Sequence, residues 1–248
     1  GVTNVEYWEQ SQFCAELIVE LADFDTAKLA TLAGHYDHLP SPASEALVRK
    51  LLSEHCLRLP EQERLPIWNK LWKLIAHHRR FPDAEWSLGD ESLTDLEEIA
   101  NKLAPSTPSV LHRRLFSESD SYLYEGDGDW RVEQEKLFQL RKLAIENILI
   151  EGGIDRVLEF SLEVKNPHLV GEVLADFKST DFDKKLLPDL LEMMEQKSWS
   201  LAASYAWSRR YKEGWKWFDD IDKSEWAPKQ ISNLLCALPF SKEAWDRA

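Results

Sequence analysis

Glycine is scarce in this chain. Nine glycines in 248 residues is about half the usual share, too few for a sheet protein full of tight turns. Neither the glycine-rich phosphate loop ending in Gly-Lys-Ser/Thr nor the dinucleotide pattern GxGxxG occurs. The one glycine-rich spot, Gly126-Asp127-Gly128-Asp129, is acidic and repels phosphate, so no nucleotide site is expected. Cysteine is scarce too: Cys14, Cys56 and Cys236 form no CxxC or other metal-ligand spacing. Two of the three lie in apolar helical runs, which predicts reduced core thiols in a cytoplasmic protein. No apolar run approaches the roughly 18 residues needed to span a bilayer, and no signal peptide precedes the first helical pattern. Positive charge is outweighed, 30 Lys and Arg against 44 Asp and Glu, for a formal net charge of −14. That balance disfavours a general binder of nucleic acid or anionic membrane.

What the chain has in abundance is helical periodicity; strict alternation is nearly absent. Apolar residues recur at helical spacing over 4–22, 25–38, 41–59, 61–80, 90–104, 131–151, 154–165, 168–178, 183–197, 199–213, 215–222 and 228–238. Proline and glycine punctuate these runs where they are tolerated: Pro40, Pro60 and Pro105 after helices, Pro167 and Pro228 near starts, Gly152-Gly153 and Gly214 after ends. In 61–80 the stripe is Leu65, Trp68, Trp72 and Ile75, widened by Leu71 and Leu74. Short links force antiparallel neighbours, so the expected fold is all-α, an antiparallel array like an α-solenoid of divergent tetratricopeptide or HEAT-like helix pairs. Lys197-Ser198-Trp199 and Lys223-Ser224-Glu225-Trp226 open two similar stretches near the end. Residues 117–129 lack helical period and are rich in turn formers. They predict an acidic surface loop between an N-terminal half, 1–116, and a Trp-rich C-terminal half, 130–248. Gly1 in place of Met, and an unfinished pattern at Ala248, suggest a piece of a longer protein.

Charge is unevenly placed. Residues 64–80 hold five bases and no acid, and 81–129 hold twelve acids against Lys102, Arg113 and Arg114. Either the two regions complement each other within the fold, or they form a bipolar surface for a partner.

No catalytic constellation stands out. His35 and His38 could share a helix face, but a zinc site needs three or four ligands, and 118–129 lacks the order of an EF-hand. His55 and Cys56 are neighbours in sequence and therefore diverge by about 100° on a helix. His77-His78-Arg79-Arg80 suits the negative end of a helix dipole without any ligand. Tryptophan is concentrated at 199, 207, 215, 217, 226 and 245, as packing between helices or as a recognition surface, since Trp and Arg dominate binding hot spots. Trp215 and Trp217 cannot face the same way on a helix. At the C-terminal end, Leu235, Phe240 and Trp245 have no later helix in this sequence to cover them. The candidate partner-binding residues are thus Arg79, Arg80, Trp215, Trp217 and Trp245.

The run His78-Arg79-Arg80-Phe81-Pro82-Asp83-Ala84-Glu85-Trp86-Ser87-Leu88, followed by Leu103-Ala104-Pro105 and Arg114-Leu115-Phe116, carries a resemblance. So do Leu140-Arg141 through Ala144-Ile145 to Gly152-Gly153, and Pro167, Val170 and Gly171. These residues resemble the helical region behind the nucleotide-binding module of large uncharacterised bacterial P-loop ATPases of the signal-transducing, NACHT-like kind. The resemblance spans about residues 65–177 and includes no catalytic motif, so it carries over no active-site residue. It implies a helical sensor or scaffold region of a multidomain ATPase, some of whose relatives act in defence against phage. The expected role is non-catalytic, without cofactor or metal: recognition of a protein partner or a neighbouring domain. The alternatives are a nucleic-acid adaptor using Lys70, Lys73, Arg79 and Arg80, and an all-α enzyme domain with an unrecognised site.

Overall fold

The computed structural model describes residues 4–118, 129–193 and 195–247. The expected loop 117–129 lies mostly outside them. Among the described residues there are fourteen α-helices, a few single 3-10 turns and no strand, so the fold is all-α. No helix among them is long and apolar enough to cross a membrane. The chain divides into two compact units.

The first unit takes in residues up to 107 together with 129–133. Its helices are α1 (Asn4–Leu21), α2 (Thr26–Ala33), α3 (Ser41–Leu51), α4 (Glu54–Leu57), α5 (Glu61–Arg80) and α6 (Asp90–Leu103). Local chemistry sets their ends. Asp25 caps α2, its Oδ1 accepting from the N–H groups of Ala27 and Lys28 at 3.0 and 3.1 Å. Ser53 caps α4 through the Cys56 N–H, which divides the single helix expected over 41–59. The helix expected over 25–38 stops at Ala33, and a 3-10 turn at Tyr36–His38 follows. Helix α5 packs against both α2 and α6. It buries Ile67, Trp68, Leu71, Leu74, Ile75 and His78, while Leu65 and Trp72 of the expected stripe are only half-buried. Helix α6 buries Leu93, Leu96, Ile99, Ala100 and Leu103. Glu61, in the first turn of α5, accepts from the Ser106 N–H at 2.8 Å. The Ser106 hydrogen bonds lower its pKa to about 2.

The second unit takes in 108–118 and the chain from 134 on. Its helices are α7 (Pro108–Leu111), α8 (Trp130–Glu163) from Gln134 on, α9 (Pro167–Leu174), α10 (Thr180–Glu192), α11 (Gln196–Glu213), α12 (Trp215–Asp220), α13 (Pro228–Cys236) and α14 (Lys242–Trp245). The boundary expected after residue 116 therefore falls earlier, because 108–116 is bonded into this unit. Glu151 accepts from the Ser109 N–H at 3.0 Å, Arg141 Nε donates to the Leu115 carbonyl at 2.8 Å, and Phe116 meets Phe160 edge-on at 5.3 Å. Helix α8 is broken at Gly152-Gly153, where Gly153 takes φ 68° and ψ −163°. Helices α9 and α11 pack tightly against each other. A Cβ on Gly171 would strike the Leu201 carbonyl and Ser204 Oγ and lie 2.9 Å from the Tyr205 nitrogen. Ser204 Oγ meanwhile donates to the His168 carbonyl at 2.8 Å.

Candidate functional site

Two concave features in the second unit draw on the residues that the sequence singles out. The first is a polar cleft of 960 Å³ whose walls come from α10, α11, α12 and the turn after α12. Its floor is a buried charge network. Asp183 on α10 accepts from Tyr205 Oη at 2.7 Å and from Trp217 Nε1 at 3.1 Å, both at Oδ1. Arg209, one turn beyond Tyr205 on α11, donates to the Tyr205 hydroxyl at 3.2 Å and pairs with Asp183 Oδ2 at 3.6 Å and Glu213 at 3.0 Å. Its guanidinium also lies over the Trp217 ring, 5.6 Å from the centroid. Asp183 and Arg209 are 6 % and 3 % exposed, so each compensates the other's burial. Burial and the adjacent Asp183 carboxylate push the Tyr205 pKa up. The phenol stays protonated and donates, so it cannot serve as a base. The network ties α10, α11 and α12 together and presents no activated nucleophile.

Trp217, expected as a partner-binding residue, is therefore structural: 4 % exposed and bonded to Asp183. Trp215, two residues earlier, faces elsewhere, as its spacing requires. It is half-buried, with the guanidiniums of Arg210 and Arg247 at 5.0 and 4.8 Å from its ring centroid. Arg247 also forks onto Asp219 through two bonds of 2.7 Å, and that pairing lowers the Asp219 pKa. The clip joins the segment after α14 to α12.

The second feature is an apolar groove of 390 Å³ between α13 and α14, lined by Ile231, Leu235, Phe240, Trp245 and their neighbours. Ser241 caps α14 through the Ala244 N–H at 3.3 Å, and Phe240 meets Trp245 edge-on at 5.4 Å. Phe240 and Trp245 nevertheless remain 88 % and 64 % exposed. The other tryptophans of the cluster are distributed. Trp199 and Trp207 are exposed on α11, and Trp226 is half-buried at the mouth of the polar cleft.

The basic end of α5 is largely engaged. Arg79 bonds Glu97 through Nε at 2.9 Å and Nη2 at 3.2 Å, and also pairs with Asp90. Arg79 thus joins the basic helix to the acidic α6. Arg80 lies beside the Phe81 ring at 5.4 Å, and Lys70 and Lys73 are exposed further back on α5. Within the same end, buried His78 accepts at Nδ1 from the Leu88 N–H at 3.1 Å, and its Nε2 is 3.5 Å from Asp37. Burial holds its pKa below the usual imidazole value, against the pull of Asp37. Among the described residues no three His, Cys, Asp or Glu side chains are grouped to hold a metal.

The thiols divide. Cys56 is buried, which raises its pKa, but Cys14 and Cys236 are exposed. The core position expected for Cys14 is corrected, because only Val19 and Ala22 at the end of α1 turn inward. The sequence does not foreshadow the Asp183–Tyr205–Arg209 network or the Arg247–Asp219 clip. Asp183 lies 22 and 34 residues from Tyr205 and Trp217, and Asp219 lies 28 from Arg247, all among many similar charges. No family model matches this chain, and no curated protein or solved structure matches it either.

Proposed function

We propose that the chain is a non-catalytic recognition module that takes up an apolar segment of a protein partner in the groove between α13 and α14. The observation that carries this reading is the cluster of exposed apolar side chains lining one groove. Phe240 and Trp245 stand open beside Leu235 and Ile231, while the Ser241 cap and the Arg247–Asp219 clip hold the frame. Aromatic anchors on a preformed frame bind at low entropic cost. The groups of the Asp183–Tyr205–Arg209 network are spent on one another, so that network holds the helices together. In this reading the C-terminal half, 130–248, forms divergent, solenoid-like repeats in a cytoplasmic protein.

The wider placement, as the sensor or scaffold part of a bacterial NACHT-like ATPase acting in defence, rests on the resemblance over residues 65–177. The full reading frame tests it: a phosphate-binding loop upstream supports it, and a frame without one removes it.

The groove itself is tested by a photo-crosslinking residue at position 240 in cells expressing the protein. The expected result is one discrete protein adduct that disappears in Leu235→Glu. A smear of adducts unchanged by that substitution, or none, would overturn the reading.

A further inference from the structure

We infer that the polar cleft of the second unit is a further binding site, and that its ligand is an extended aliphatic cation with ammonium or guanidinium groups spaced along methylene stems. The cleft shares no lining residue with the α13–α14 groove.

Charge sets the sign of the ligand. Among the described residues six carboxylates and three cations line the cleft. A concave surface of one prevailing sign concentrates ligands of the other. The excess begins at the floor. Arg209 is shared between Asp183 and Glu213, and Tyr205 stays protonated. The floor thus holds one more carboxylate than cation, in a setting where unbalanced charge is costly. Elsewhere on the lining Asp189 and Glu225 are exposed, and among the described residues no cation pairs with either. Asp222 accepts from the Ser224 N–H and hydroxyl at 3.0 and 2.7 Å, and both donors are neutral. An anion is repelled by the same lining.

Shape and aromatic faces set its form. No three His, Cys, Asp or Glu side chains among the described residues are grouped to hold a metal. The acids are therefore spread over the cleft, which suits several positive groups along a chain and not one small ion. Pro188, Ile221 and Trp226 supply apolar lining, against which methylene stems can lie. The rings of this unit also show what they accept. Trp217 has the Arg209 guanidinium over it, and Trp215 has those of Arg210 and Arg247. Trp226, half-buried at the mouth of the cleft, has no cation over its ring among the described residues. An ammonium or guanidinium there gains the attraction of the ring face, with the Glu225 carboxylate on the adjoining residue.

The test is calorimetric titration of the whole chain with two probes, spermidine and an end-blocked tri-lysine peptide. The first stands for a free polyamine and the second for a basic chain segment. We expect submillimolar, one-to-one binding that weakens as salt rises, and the tighter probe names the source. Asp189→Asn with Glu225→Gln changes two exposed residues, so the chain folds, and it should weaken binding at least tenfold. Trp226→Ala should weaken it about fivefold, and Trp226→Phe should restore most of the loss. Asp95→Asn with Glu98→Gln, on α6, removes the same charge outside the cleft and should leave the titration unchanged. So should Leu235→Glu in the α13–α14 groove. Equal weakening by the two acid pairs would mean attraction to net charge alone, and would overturn the inference. So would absence of binding by both probes, full affinity in either the Asp189 and Glu225 variant or Trp226→Ala, or displacement by magnesium at the concentration of the probe.

Discussion

Gly171 shows how much can rest on one missing methyl group. Helix α9 lies so close on α11 that a Cβ at residue 171 would overlap the Leu201 carbonyl and Ser204 Oγ. Backbone atoms cannot step aside, so the helices must separate. Overpacking of this kind costs about 1–3 kcal/mol, and 1 kcal/mol moves the melting temperature of a chain this size by about 2–4 °C. Gly171→Ala should therefore melt several degrees below the parent by calorimetry, whereas Gly89→Ala should not. Gly89 has φ −65°, and nothing lies within 4 Å of a Cβ there. His78 has a different sensitivity. With Nδ1 accepting from the Leu88 N–H, the neutral ring carries its proton on Nε2, toward Asp37. A second proton on Nδ1 would face that N–H. The neighbouring His77 and His38 also disfavour the charged His78 ring, while Asp37 favours it. Because burial lowers the folded pKa, the unfolded chain takes up the proton first. Stability is therefore greatest above the ordinary imidazole pKa of about 6.5 and declines as pH drops below it. Thermal melts through that range should fall more steeply for the parent than for His78→Gln. Parallel curves would show that His78 does not govern acid sensitivity.

Helix boundaries depend on a few conformations that only certain residues adopt. Gly153 and Gly214 both take φ near 70° with ψ near −165°, a region essentially closed to residues with a Cβ. Each marks the passage from one helix to the next, α11 to α12 in the second case. At both positions the space around a Cβ would be open to 4 Å, so substitution there is opposed by the backbone alone. Gly214→Ala should cost roughly 1–3 kcal/mol, read as a lower denaturant midpoint with an unchanged slope. If α12 extends α11 instead, the Asp183 bond from Trp217 is lost, and the near-ultraviolet dichroism of the tryptophans should change. Other boundaries were legible from the chain: Pro40 and Pro60 stand just before α3 and α5, and Pro167 and Pro228 open α9 and α13. The division of 41–59 was harder to read. Ser53 looks like an ordinary polar residue until its hydroxyl accepts the Cys56 N–H.

For the molecule as a whole, charge governs what it can approach. The net charge of −14 opposes polyanions, and Arg79, one of the four bases of the adaptor reading, pairs with Glu97 and Asp90. Labelled single- and double-stranded DNA should show no saturable anisotropy change at low salt, where electrostatic binding is strongest. Saturation that Lys70→Glu with Lys73→Glu abolishes would restore the adaptor reading. The complementary placement of a basic α5 before an acidic α6 was visible in composition, and the Arg79–Glu97 fork is its physical form. The two-unit division was only half visible. The acidic stretch at 117–129 suggested a boundary, but 108–116 is fastened to the second unit by Glu151, Arg141 and Phe160, contacts made across long sequence separations.

The all-helical class, most helix ends and the divergence of Trp215 from Trp217 were already written in the order of residues. Each follows from local rules: the 3.6-residue period, the missing N–H of proline and the freedom of glycine. Which side of each helix has a neighbour is a matter of packing in three dimensions. Periodicity marks an apolar face without saying whether anything covers it. It cannot tell Trp217, closed over Asp183, from Trp245, open beside Phe240. Nor can it distinguish α6, whose leucines are buried, from α1, most of whose large apolar side chains are exposed. Which face is covered is settled by elements distant along the chain, and the local pattern holds no record of them.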